Sequence, residues 1–408
     1  MARPAHMFGS RVGRRFASGI ALGSFLASAG CRVGSPPVSV RELLAVVQAE
    51  GPRQQEASVR AFLDVHASMP VVEGNQLTFF VEADGEPTPR IVGDFNGWGS
   101  RGDAFDPAAG TMRQLGRTRW FYLEETVAPA SRLEYLLARG GTYARDPLNP
   151  RYVPGVGGLV SEICLPGCVE APELTDVSPV PKGAVESRMF VSARDHSQRR
   201  VAVYRPPGYV ATGRPYPAAF FNDGSLMVET GELPAVLDHL IAAKRIAPIV
   251  AVFVDPVSRV DDYKMSDDFR KLFSEELVPW VEHELHISAE PDQRAIIGVS
   301  RGAIGALDLS WFHPEQFGLC GVLLPSTQPT SITALIAGSP KRHIRYSVVT
   351  AWYDARWRGD GQELVSTLRS RRYEVTHRSV PEGHGPQTWR RHMSSVLADF
   401  FPIALGPN

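Results

Sequence analysis

The run Arg294-Ala295-Ile296-Ile297-Gly298-Val299 leads into Ser300 and leaves through Arg301-Gly302-Ala303, and this junction constrains the fold more than any other stretch. Its first part has the short, β-branched character of a strand buried on both faces. Beyond it, Ile304, Leu307, Trp311 and Phe312 recur at helical spacing. A strand that turns into a helix around G-x-S-x-G sets the serine on a sharp bend. The flanking glycines permit a close backbone approach, and the bend predicts a strained conformation at Ser300. The hydroxyl then stands exposed at a helix start, where the dipole favours developing negative charge. A plain glycine turn without chemistry has the same five residues, so the reading depends on partners.

A serine hydroxyl needs a base, and the base needs an orienting acid. The strand–G-x-S-x-G–helix junction resembles the nucleophile elbow of α/β-hydrolases, in which acid and histidine follow the serine in chain order. Glu374 to Val380 alternates like a strand, and His384 falls in the loop after it, between Gly383 and Gly385. His384 is therefore the expected base, while His377 and His392 read as surface residues. Tyr346 to Ala351 is the preceding strand, with Asp354 just past its end. Asp354 is the first choice of acid; Asp360 and then Glu363 are alternatives. Asp360 also suits a cap on the helix carrying Leu364 and Leu368.

An acyl-transfer site also needs donors for an oxyanion. The backbone N–H of Arg301 is one. The second is expected from Asn222-Asp223-Gly224-Ser225, after the strand Tyr216 to Phe221, through the amides of Gly224 and Ser225. An ordinary turn is the alternative there.

Several separate strings carry a family resemblance. Arg199 to Tyr209 ends in Pro206-Pro207-Gly208-Tyr209; Asn222-Asp223-Gly224 follows; Glu275 to Val281 reads E-E-L-V-P-W-V; and Gly383-His384 is followed by Trp389-Arg390. With Ala351 to Asp354 as acid loop, residues 186 to 401 resemble the esterase family of enterochelin esterases, feruloyl esterases and S-formylglutathione hydrolase. The resemblance implies an α/β-hydrolase, a mostly parallel sheet flanked by helices, with Trp389 and Arg390 as substrate contacts. Glu382, Gly385, Ala303 and Ala351 depart from the family's pattern without removing a catalytic group.

Residues 75 to 165 alternate and turn like a small β-sandwich, with strands at Gln76 to Ala83, Trp120 to Leu123 and Leu133 to Leu137, and with Ile91 to Trp98 a strand running into an Asn-Gly turn. Gly93-Asp94-Phe95-Asn96-Gly97-Trp98 and Asp146-Pro147-Leu148-Asn149-Pro150 resemble the early-set, Ig-like modules joined to glycogen-active enzymes and enterochelin-type esterases. Trp98 and Trp120 read first as core residues, with sugar stacking as the alternative. The expected divisions are a targeting segment to residue 31, a helical arm at 32–74, the sandwich at 75–170, a Pro-containing linker at 171–185 and the hydrolase at 186–404.

Arg11, Arg14 and Arg15 precede the apolar stretch Ala17 to Ala29, which ends at Ser28-Ala29-Gly30-Cys31. This has the form of an export signal, too short to span a bilayer. It resembles a bacterial lipobox, implying lipidation at Cys31 and a place in the cell envelope; simple cleavage and secretion is the alternative. Cys164 and Cys168 frame a turn short enough for a small disulfide, which an extracytoplasmic setting permits. Cys320, in an apolar run, reads as buried and inert.

With 43 Lys and Arg against 44 acids, no net field favours nucleic acid. The arginines near His384 (Arg369, Arg371, Arg372, Arg378, Arg390, Arg391) read as mostly solvated. The sequence thus predicts an exported serine esterase acting on a small-molecule or oligosaccharide ester, without cofactor or metal, touching a membrane only through a lipid anchor. Siderophore trilactone, feruloyl or acetyl polysaccharide esters, and a non-catalytic glycan-binding role, all stay open.

Overall fold

The computed structural model describes residues 36–403, apart from 67, 102, 103, 156, 177 and 327–331. The expected targeting segment and Cys31 lie outside the described residues. No helix among the described residues is long and apolar enough to cross a membrane.

Two helices come first among the described residues, α1 (Val40–Ala49) and α2 (Pro52–Val65). Ser39 caps α1, its Oγ accepting the Glu42 N–H, and Pro52 starts α2 at the position where a missing N–H costs nothing. Short strands follow: β1 (Val71–Glu73), β2 (Gln76–Glu82), β3 (Arg90–Gly93), β4 (Ser100–Arg101), β5 (Ala104–Phe105), β6 (Arg113–Gln114), β7 (Trp120–Thr126), β8 (Arg132–Arg139), β9 (Thr142–Ala144), β10 (Tyr152–Gly155) and β11 (Gly158–Cys164). One antiparallel sheet has the order β1-β2-β7-β6; the other runs β10-β11-β8-β3, with β9 paired to β8.

Period two along β2 shows why the arm belongs to this part. Leu77, Phe79 and Val81 enter the core between the sheets with Ile91, Leu133, Tyr135 and Ile163. Phe80 points the other way, into a second cluster with Leu43, Val47, Val59 and Phe62. The helices therefore cover the outer face of the first sheet and bury the side chains that alternation alone would leave in water. Trp120 lies in that cluster, as the core reading of it expects.

The short helix α3 (Pro172–Thr175) lies within the segment read as a linker, and it is docked. Glu173 is buried, pairs with Arg245 at 3.0 Å and accepts a hydrogen bond from Ser394 Oγ. Beyond it come β12 (Ala184–Val191), β13 (Gln198–Arg205), β14 (Ala218–Asn222), α4 (Leu233–Ala242), β15 (Val250–Val254), α5 (Arg259–Asp262), α6 (Asp267–Lys271), α7 (Val278–Glu284), β16 (Arg294–Val299), α8 (Arg301–Phe312), β17 (Leu319–Leu323), α9 (Ile332–Gly338), β18 (Arg345–Ala351), α10 (Arg358–Ser370), β19 (Glu374–Val380) and α11 (Pro386–Phe400).

The strands form one sheet, β12-β13-β15-β14-β16-β17-β18-β19. β12, β13 and β15 pair antiparallel, and from β15 through β19 every pair is parallel. The parallel part explains the near-continuous apolar strands: β14, β15, β16 and β17 are buried at every residue. One face packs on Phe273, Leu307 and Trp311, the other on Leu237, Met393 and Leu397. This is the α/β-hydrolase architecture, preceded by a small β-sandwich. It places the ends of β14, β16, β18 and β19 together at one edge, where open α/β sheets bind ligands.

Candidate active site

The elbow forms between β16 and α8. Ser300 has φ 55° and ψ −120°, a strained left-handed conformation for a residue with a side chain. A Cβ at Gly298 would lie 2.1 Å from the Gly302 carbonyl oxygen, and one at Gly302 would lie 2.6 Å from Asp223 Oδ2. Neither position has room for any side chain.

The structure brings Ser300, His384 and Asp354 together, from the ends of β16, β19 and β18. His384 Nδ1 lies 2.6 Å from Asp354 Oδ2, and His384 Nε2 lies 2.9 Å from Ser300 Oγ. With the ring proton on Nδ1, the histidine donates to the acid and accepts from the serine. Asp354 is 4 % exposed, and its other oxygen accepts the Trp357 N–H at 3.2 Å. Asp360 sits in the first turn of α10, the fallback Glu363 lies further along that helix, and Trp357 rather than Asp360 is the residue at the helix cap.

The oxyanion loop differs from expectation at one residue. The Ser225 N–H donates to Asp255 Oδ1 at 2.6 Å, and its hydroxyl donates to the same carboxylate. That amide is occupied by a carboxylate one strand away, which leaves Gly224 as the loop's candidate donor beside Arg301. Gly224 itself packs on the backbone of β15, where a Cβ would meet Phe253 C at 2.6 Å. Below the elbow, Arg259 makes a two-pronged pair with Asp223 at 2.8 and 3.0 Å and reaches the Val299 carbonyl at 3.2 Å.

Other sequence expectations need correction. Trp389 is 3 % exposed and part of the core, its ring 3.0 Å from where a Gly231 Cβ would stand; helical spacing along α11 turns it toward the sheet. Arg390 pairs with Glu232 and Gln387. Trp98 is not core: it is half-exposed, its indole N–H donates to Asp94 at 2.9 Å, and its ring lines a cavity against His384. His392 is buried, not at the surface, and bonds Glu382 at 2.9 Å. Arg391 is buried too, and Arg378 pairs with Asp399 at 2.6 Å. Cys164 and Cys168 form a disulfide. Cys320 is buried on β17, and burial pushes its thiol up to about 12.

The sandwich reaches the catalytic loop through a network of pairings that the sequence did not indicate. Glu382, two residues before His384, accepts hydrogen bonds from Arg391 at 3.1 Å and His392 at 2.9 Å. Arg391 also faces Glu162 at 3.5 Å, and Glu162 holds Arg132 through two bonds of 3.0 Å. The Arg132 N–H donates to the Pro381 carbonyl, and Tyr353 Oη accepts the Ala128 N–H at 2.7 Å. The glycines flanking His384 sit directly on two carboxyl groups. A Cβ at Gly383 would lie 2.0 Å from Asp94 Cγ, and one at Gly385 would lie 2.5 Å from Glu134 Oε2.

Burial pushes Asp94 up to about 6, against the Glu134 N–H and Trp98 indole bonds that favour its charged form. Burial first, and the Asp94 charge second, push Glu134 up to about 8. Both carboxyls titrate higher in the folded chain than in an unfolded one, so the folded state holds more protons between about pH 4 and pH 8. Their contribution to stability is complete below the unfolded values and is lost as pH rises through the folded ones. Glu134→Gln, which keeps the neutral shape, is expected to raise the melting temperature by about 2–4 °C at pH 8 relative to its effect at pH 5. Thermal melts of both proteins at the two pH values check this; an equal difference at both would rule out ionisation of Glu134 as the cause.

Residues 192–400 match the model of the Esterase family, described as "Putative esterase". The chain belongs to this esterase family. Among solved structures, the enterobactin esterase of Shigella flexneri is similar over 83% of this chain and 97% of its own, with 18% identity and a TM-score of 0.67. The ferric enterobactin esterase of Salmonella typhimurium matches 83% of this chain and 98% of its own, at 18% identity and a TM-score of 0.69. At such identity these likenesses show the fold alone. An endo-1,4-beta-xylanase/feruloyl esterase of Xylanibacter ruminicola is 27% identical over 238 residues, 54% of this chain and 31% of that protein. An uncharacterised protein of Bacillus subtilis is 24% identical over 147 residues, 32% of this chain and 58% of that one. The chain thus spans less than two thirds of the length of these curated relatives.

Proposed function

We infer that this family member is an exported serine esterase. The hydrogen-bonded chain from Asp354 through His384 to Ser300, with the serine held at a strained elbow, carries the reading. Ser300 Oγ gives its proton to His384 Nε2 as it attacks the ester carbonyl. Asp354 fixes the ring and stabilises the imidazolium. The N–H groups of Arg301 and Gly224 hold the tetrahedral oxyanion. Collapse expels the alcohol, protonated by His384, and leaves an acyl-Ser300 ester. Water, deprotonated by the same histidine, then releases the acid.

The three groups in one bonded chain favour catalysis over a purely glycan-binding role, which needs none of them. The relatives' names place enterobactin esters and feruloyl esters among the substrates to try first. Turnover of p-nitrophenyl acetate by the purified chain tests the activity: measurable kcat supports it, and none above the background rate removes it.

Export rests on the charged, apolar and Cys31-terminated start of the sequence. Cys31→Ala is expected to release the mature protein from membranes without changing hydrolysis. Membrane fractionation of the two forms reads the outcome; wild type already free of the membrane would leave simple cleavage.

A further inference from the structure

Beside His384 lies a cavity of 580 Å³ with one-sided chemistry. Trp98, Leu136, Tyr143, Leu159 and Val160 supply apolar walls, and none of its described lining residues is a lysine or arginine. Among its described lining residues, Glu134 is the one acid. That residue is 6 % exposed, and among the described residues its carboxyl has no hydrogen bond or ion pair; only its backbone N–H is engaged, by Asp94. A carboxyl so buried and so unpartnered is costly unless what enters the cavity meets it.

We propose that Glu134 is the specificity-determining contact of this site: its carboxyl donates a hydrogen bond to an uncharged oxygen acceptor on the apolar part of the ester, and the cavity excludes esters carrying an anionic group there. The proposal rests on the serine esterase reading, since it takes the ester to be the ligand.

The surroundings of Glu134 explain its neutrality. Among the described residues, the charged groups that act on it most strongly are Asp94 after β3, Arg391 on α11, Glu162 on β11 and Glu382 in the histidine loop, and His384 lines the same cavity. Glu162 is paired with Arg132 and Arg151, and Glu382 with Arg391, while His392 is hydrogen-bonded to Glu382. Asp94 has no ion pair with a lysine or arginine among the described residues; it is bonded by the Trp98 indole and the Glu134 N–H, and His384 acts on it electrostatically. An ionised Glu134 would face Asp94, a second carboxylate without an arginine or lysine partner among the described residues, in a poorly solvated place, and a substrate anion would face the same field. The pH at which Glu134 loses its proton, about 8, leaves it a donor at neutral pH.

Calorimetric titration of the full chain with Ser300→Ala, which cannot acylate, reads the cavity apart from turnover. The ligands are ethyl 3-(4-acetylphenyl)propanoate, its 4-isopropyl isostere, the 4-carboxylate and a 4-trimethylammonium analogue. At pH 7 the acetyl ester is expected to bind roughly three- to tenfold tighter than the isopropyl ester, and the carboxylate at least about a hundredfold more weakly than the acetyl ester. Adding Glu134→Leu should abolish the acetyl preference, and adding Glu134→Gln, which retains a donor, should keep it. Raising the pH to 9 should erase the preference where Glu134 is intact and spare it in the Glu134→Gln variant. Any of four results overturns the proposal: no acetyl preference, no acetyl ester binding at millimolar concentration, a carboxylate bound as tightly as the acetyl ester, or tightest binding of the trimethylammonium ester with its loss in Glu134→Gln. Turnover of p-nitrophenyl acetate by the wild type fails or succeeds separately and judges the esterase reading.

Discussion

Ser300→Ala and His384→Ala are each expected to lower kcat on p-nitrophenyl acetate by at least about a thousandfold, and Asp354→Asn by a smaller factor. In the proposed mechanism the serine supplies the atom that forms the acyl bond, and the histidine moves the proton in both halves of the reaction. The two losses should not add in a double variant, because each alone already stops the same step. Asp354→Asn leaves the ring nearly in place while removing the charge that stabilises the imidazolium. Stopped-flow and steady-state rates on wild type and each variant provide the measurement. Normal turnover in Asp354→Asn with loss in Asp360→Asn would move the acid to Asp360.

Glu382→Ala is expected to be the most damaging single change outside that chain of three. It would leave Arg391 and His392 buried without the carboxylate that now accepts a hydrogen bond from each. Removing one partner of a buried ion pair costs about 3–5 kcal/mol. The effect should reach kcat as well, because Glu382 lies two residues from His384 and its carbonyl accepts the Tyr353 N–H at 3.0 Å, next to Asp354. Glu382→Gln, which retains an acceptor and the shape, should lose less of both. Melting temperature and kcat measured together separate the accounts: a large fall in stability with kcat intact would make Glu382 structural only.

The two variants draw on different kinds of information. The elbow, the strands that feed it and the loop of His384 are legible because each is specified locally, by glycines at fixed spacing and by apolar runs of one strand's length. The mostly parallel sheet follows from those runs in the same way. Residues whose role depends on a distant partner are not legible. The Ser225 amide looks available until Asp255, thirty residues later, is seen to hold it. Trp389 and Trp98 have the same chemistry in sequence, and only the packing of α11 on the sheet and of the sandwich on the histidine loop puts one inside and the other on a cavity wall. Glu382 stands out in the sequence only as a departure from a family pattern, yet it joins the two parts of the molecule. Asp94 and Glu134 carry no motif that marks them as buried acids, because Gly383 and Gly385, which cover them, come near the other end of the chain.

The dependence of the histidine loop on the sandwich also changes what the N-terminal part does in this account. It supplies the cavity wall and the seat of the loop, so catalytic geometry and substrate choice meet at one interface. A sandwich acting as an independent glycan anchor would need neither contact.

Covalent labelling by a fluorophosphonate probe, followed by peptide mass mapping, tests the central claim most directly, since only a serine activated by its neighbours reacts at an appreciable rate. One label per chain, located on Ser300, lost in His384→Ala and matched by loss of ester turnover, is the predicted result. A chain that hydrolyses p-nitrophenyl acetate while Ser300 stays unlabelled, or that carries the label on another residue, would contradict it.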